Sequence, residues 1–235
     1  MEAQPGVGGP SWGDLTLPAV SSSRRACIGM KDQPAAQKPV SSEAPTLTQS
    51  VIVELSFGVI GLILVVVTGH SLSEAFRVEI NPLVAGSFGI LIGACLGSIF
   101  GLGVTRPPIA DRVRPFLQRF TSAAPTPLNF AVIGLAAALG EETLFRAAIQ
   151  PAAGIVVSSL LFMLAHSLIA DFRHPTIGKA AYAVLAFTMG LLLGVMYDRL
   201  GIAASMGTHF AFDTAALLVI RPLLPTIVLA TPGAG

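Results

Sequence analysis

From Val51 onward the chain is built of long apolar stretches separated by short polar segments. A helix rising about 1.5 Å per residue needs about 20 apolar residues to cross about 30 Å of hydrocarbon. Stretches of that length predict spanning helices over 51–69, 82–104, 128–150, 152–170, 180–197 and 200–220. A membrane barrel would instead show alternating segments of about ten residues. The expected fold is therefore all-α, a polytopic transmembrane bundle of about six helices. Residues 1–50 are rich in Pro, Ser, Gly and Ala without a sustained period, which predicts a disordered polar tail. The bundle is expected over 51–221, and 222–235 forms a short, proline-interrupted apolar tail.

Composition agrees with the pattern, since 53% hydrophobic against 11% charged residues is far from a soluble domain. The net charge of +1 is uninformative, but the distribution of basic residues is not. With six spans, Arg24, Arg25, Lys31, Lys38, Arg106, Arg112, Arg114, Arg119, Arg173, Lys179 and Arg221 fall on one side. Arg77, Arg146 and Arg199 fall on the other, so both termini are expected in the cytoplasm. No secretory leader is expected, and Met30-Lys31 offers an alternative start ahead of the first helix. Cys27 and Cys95 suggest neither a disulfide nor a thiolate metal site, and Cys95 is expected to be a packing residue.

Gly89, Gly93, Gly97 and Gly101 recur every four residues and put small residues on one face of the second span. Packing within the chain is expected there in preference to homodimerisation, and Gly190 and Gly194 repeat the pattern once. Residues 109–120 mix apolar and arginine residues behind Pro107 and Pro108, as suits an interfacial segment.

Ionisable side chains in hydrocarbon cost about 2.5 kcal/mol or more each, which makes each a functional candidate. Glu54 lies near the end of the first span and is expected to reach the interface. The others within spans are Glu141, Glu142, Arg146, His166, His209 and Asp213. In Gly140-Glu141-Glu142-Thr143-Leu144-Phe145-Arg146, helical spacing brings Glu142 and Arg146 together, whereas Glu141 points about 100° away. Glu141 therefore needs a partner on another helix or a proton, unless both glutamates simply pair with Arg146 to hold the bundle. Phe162 can support His166 four residues later, although a lone histidine in an apolar helix is more often a packing residue. His209 and Asp213 share a face in the last span. His70, His174, Asp171, Glu74, Glu79, Asp198 and Arg199 are expected in loops, in solvated or headgroup-contacting roles.

Together, in this order, the three strings resemble the CPBP family of intramembrane endopeptidases, which includes the type II CAAX prenyl proteases and the Abi proteins. Its motifs are a double glutamate with arginine four residues after the second, phenylalanine with histidine four later, and histidine with Asn or Asp four later. The resemblance covers about 128–221, which would be the core of an intramembrane endopeptidase. It implies that Glu141 with His166 activates water for attack on a peptide carbonyl. It further implies that His209 and Asp213 stabilise the oxyanion while Glu142 and Arg146 secure the site. An ionised Asp213 cannot donate a hydrogen bond, so it would be protonated or act through His209.

No cofactor is committed, although Glu141, His166, His209 and Asp213 offer ligands that zinc accepts, without a His-Glu-x-x-His string. The expected partners are a peptide or protein substrate, lipidated or not, and membrane lipids, with no nucleic acid and the oligomeric state left open. Two other readings compete. One is a non-catalytic, Abi-like scaffold or immunity protein, and the other a proton-coupled carrier, for which no inverted repeat is visible.

Overall fold

The computed structural model of the chain describes residues 45–106, 126–169 and 177–223, all within the unit Glu43–Gly235. The expected N-terminal tail, the interfacial segment at 109–120, Asp171, Arg173, His174 and the tail beyond 223 lie outside the described residues. Among the described residues there are helices and no strand. They form α1 (Leu47–Val67), the single turn α2 (Leu72–Ala75), α3 (Pro82–Val104), α4 (Pro127–Glu142), α5 (Gln150–Ile169), α6 (Ile177–Leu200) and α7 (Ile202–Ile220). A π-helical segment, Thr143–Ile149, joins α4 to α5, and one 3₁₀ turn, Arg221–Leu223, follows α7.

Local chemistry sets the helix starts. Thr46 accepts from the Gln49 amide while the Gln49 side chain returns to the Thr46 amide, so α1 begins four residues before the apolar run. Asn81 and Thr126 cap α3 and α4, each with proline in the first helical position. Ser71 and Glu74 close a second capping box at α2, and hydrogen bonds from Ser71 hold the Glu74 carboxyl below its usual range. Among the described residues, five stretches are long and apolar enough to cross a membrane, and the longest is Pro127–Ser167. This chain is an integral membrane protein.

That longest stretch is two arms. Gly154 has φ +80° and ψ 166°, a conformation that costs glycine least, and the chain reverses there. Ser158 then bonds back to the Phe145 carbonyl at 2.6 Å, and Phe145 and Phe162 rings meet edge to face at 5.3 Å. The second arm, 155–169, falls short of the about 20 residues a full crossing needs, so five spanning stretches stand among the described residues where six are expected. The apolar pattern places the break at Pro151; the structure keeps Pro151 within the helix and breaks at the next glycine.

The glycine repeat of α3 is an internal seam, as expected. A Cβ at Gly89, Gly93 or Gly97 would overlap backbone carbonyl oxygens of Ala204, Thr208 and Phe212 respectively, so α3 and α7 run parallel at close approach. Gly190 and Gly194 likewise press α6 onto Ser159, Gln150 and Ile155. Gly58 and Gly61 of α1 meet the backbone at Gly140, Thr143 and Leu144, where the π segment begins. Two expectations fail on position. Cys95 is exposed, on the opposite side of α3 from its buried glycines. Asp198 and Arg199 are helical, because α6 continues to Leu200, and Asp198 accepts from Gln150 at 2.9 Å.

Candidate active site

Glu142 and Arg146 are fully buried, with the Arg146 Nε 3.3 Å from Glu142 Oε2. Their pairing on one helix was legible from spacing; the rest of their environment comes from other elements. Arg146 Nη1 donates to Ser158 at 3.2 Å and reaches Gln150 at 3.5 Å, and its guanidinium carbon lies 5.3 Å from the centre of the Phe162 ring. Ser158 passes its own hydrogen to the Phe145 carbonyl, which also accepts from the Gln150 amide. The π segment thus turns a backbone carbonyl towards α5, and π-helical turns of this kind are frequent at functional sites. Glu142 accepts from Ser205 through Oε2 and holds His209 Nδ1 at 2.8 Å through Oε1. Ser205 also bonds the Leu193 carbonyl at 3.0 Å, tying α7 to α6.

Glu141 is buried too, and faces a different set of groups. Its Oε2 is 3.6 Å from His166 Nε2 and 3.9 Å from His209 Nε2. The His166 ring stacks on Phe162 at 4.2 Å with an interplanar angle of 29°, and its Nδ1 is 3.0 Å from the Phe162 carbonyl. Because that carbonyl only accepts, Nδ1 carries a hydrogen, leaving Nε2 of a neutral ring free to accept on the Glu141 side. His209 Nε2 lies 3.4 Å from Asp213 Oδ2, so the imidazole is held between two carboxyl groups. The Asp213 side chain is 35% exposed against 4% for His209, which puts it at the open edge of the group. A cavity of about 80 Å³ adjoins it, lined by Phe162, His166, Tyr182, Met189, His209 and Asp213 among others.

All six residues read from the sequence therefore converge, from α4, the π segment, α5 and α7. Arg146 faces Ser158 and Phe162, while Glu141, more than a turn earlier, faces His166. The expectation for Glu54 is overturned. The α1 backbone at Glu54 rests against Gly140, and its carboxyl turns inward to hydrogen-bonding reach of Glu141 instead of outward to the interface. Periodicity passed over Gln150, Ser158 and Ser205 as well, although each lies on the face of a recognised motif. They extend Glu142/Arg146, Phe162/His166 and His209/Asp213 by one turn, at 150, 158 and 205.

Zinc would require its ligand atoms to converge at about 2.0–2.2 Å from one point. Among the described residues, no group of three or more His, Cys, Asp or Glu side chains is arranged to hold a metal ion. His209 commits one ring nitrogen to Glu142, and Glu141 is shared between His166, His209 and Glu54.

The fold and site define a membrane helix bundle with a buried Glu/His cluster beside a cavity. Residues 123–215 match the family model described as type II CAAX prenyl endopeptidase Rce1-like, a family of proteases. The matched region contains all six residues singled out from the sequence, and Glu54 lies outside it. Comparison with curated proteins and with solved structures finds no match.

Proposed function

We propose that this chain is an intramembrane endopeptidase that hydrolyses a peptide bond of a membrane-associated or lipidated peptide. The observation that carries the reading is the meeting of Glu141 with two imidazoles from separate helices, at 3.6 and 3.9 Å, beside the cavity. A base beside one imidazole that can accept from water and another that can donate to an oxyanion is what amide hydrolysis by water needs.

In this mechanism Glu141, aided by His166, takes a proton from water as the oxygen attacks the peptide carbonyl. The carbonyl electron pair moves onto oxygen, and His209 donates to the oxyanion. Collapse of the tetrahedral intermediate breaks the C–N bond, and the proton held by Glu141 passes to the leaving amine. Glu142 fixes His209 through Nδ1, and the ring donates to the oxyanion through Nε2 as an imidazolium, with both nitrogens carrying hydrogen between the Glu142 and Asp213 carboxyls. Asp213 acts through His209 from the edge of the cavity. Glu142 and Arg146 secure the site, a role favoured by their complete burial and bonds to α5 and α7. The orientation that fits the basic residues keeps both termini cytoplasmic.

The test is purified wild type and Glu141→Ala, incubated in liposomes with lipidated and unlipidated peptide libraries, with fragments read by mass. Cleavage by wild type alone is expected. Absence of cleavage by wild type would favour the scaffold reading; cleavage surviving in the variant would remove Glu141 as the base.

A further inference from the structure

The proposed hydrolytic reading leaves one buried acid without a role. Glu54 sits on α1 between Val53 and Leu55, which are 50% and 43% exposed, so α1 faces lipid on either side of it. A carboxyl group in hydrocarbon is costly, and such residues recur where they pair with another group. The packed face of α1 runs through Gly58, Gly61 and Val65, at helical spacing from Glu54, and Gly140 touches the Glu54 backbone. The Glu54 side chain reaches the carboxyl of Glu141, the next residue on α4. Glu54 Oε2 and Glu141 Oε2 are both buried, and neither has a hydrogen-bond donor within reach among the described residues.

Carboxylate oxygens only accept hydrogen bonds, so two carboxyl groups facing each other need a hydrogen carried by one of them. We infer that Glu54 is a positioning residue for the site: in its neutral form it donates a hydrogen bond to Glu141 and holds that carboxylate towards His166 and His209. The assignment of the hydrogen follows from the surroundings. Burial acts on both carboxyls, so the neighbours decide: Glu141 lies beside the His209 ring held between Glu142 and Asp213, which favours its charged form, while Glu54 comes from a helix flanked by lipid-facing Val53 and Leu55. The inference rests on the endopeptidase reading for its effect on rate, but the carboxyl pair itself can be observed without turnover.

Two measurements test it. In steady-state cleavage, Glu54→Leu is expected to lower kcat by about tenfold or more with KM little changed, because the base is no longer held in line. Glu54→Gln keeps a donor of nearly the same shape and is expected to restore kcat to within about threefold of wild type. Wild-type kcat in Glu54→Leu, or an equal loss in folded Glu54→Gln, would overturn the inference. Independently, infrared spectroscopy of the folded protein should show the C=O stretch of a neutral, hydrogen-bonded carboxyl that is lost in Glu54→Gln and shifted in Glu141→Gln. An unchanged band in Glu54→Gln would also overturn it. If wild type cleaves nothing, the endopeptidase reading fails by itself, and the infrared band still decides the pair.

Discussion

Glu142 Oε1 holds His209 Nδ1 at 2.8 Å while its other oxygen accepts from Ser205 and lies 3.3 Å from Arg146 Nε. One carboxylate thereby fixes a cation on its own helix and an imidazole on another. The second glutamate of the pair is the structural centre of the cluster, and the first is left to face the imidazoles of His166 and His209.

Removing that centre should unfold the protein before it affects chemistry. Glu142→Ala leaves Arg146 buried without its counter-charge, and breaking a buried pair this way costs about 3–5 kcal/mol. A large fall in Tm, with loss of the monodisperse peak in detergent, is expected.

Glu141→Gln should behave in the opposite way. It keeps the shape of the side chain and removes the base, so cleavage should fall by about 10²–10⁴-fold. Its Tm should stay near that of wild type, and a large drop would assign Glu141 to the scaffold as well.

The α3–α7 seam predicts a sharp contrast between two glycines of one helix. Gly93→Val drives a side chain into the Thr208 carbonyl, and overpacking of this kind costs about 1–3 kcal/mol. Gly103 has nothing within 4 Å of an added Cβ, so Gly103→Ala should leave Tm unchanged. Equal effects in thermal unfolding would contradict the seam.

Ser158→Ala removes the link from Arg146 to the Phe145 carbonyl and should cost about 1–3 kcal/mol. Hydrogen exchange should then rise in the π segment before it rises in α3.

Chelation should leave cleavage by wild type unchanged, given a donor set that is not arranged around one point. Activity lost to a chelator and recovered with zinc would reverse that expectation.

Much of this was legible in the sequence because motif spacing and helix period coincide. Glu142 with Arg146, Phe162 with His166 and His209 with Asp213 are all four residues apart, and one turn of helix brings each pair together. The bond between Glu142 and His209 spans 67 positions, and no local period announces it. Glu54 was misread because distance from a helix end was weighed above the face it shares with Gly58 and Gly61. The π segment has no simple signature, since Thr143–Ile149 is apolar apart from Thr143 and Arg146 and reads as ordinary helix. The chain reversal was expected at proline, yet the backbone used the glycine three residues later because only there is positive φ inexpensive.

The reversal at Gly154 also bears on how the protein is made. Glu141, Glu142, Arg146, Ser158, Phe162 and His166 all belong to one hairpin, closed by contacts between residues 12 and 13 apart in sequence. Such near-neighbour contacts form early, while α7 is still to be synthesised. The guanidinium and its carboxylate thus enter the bilayer as a self-neutralising pair, with Ser158 arriving on the next arm. His209 then docks into a polar surface that already exists, making maturation of the site a late event in biogenesis.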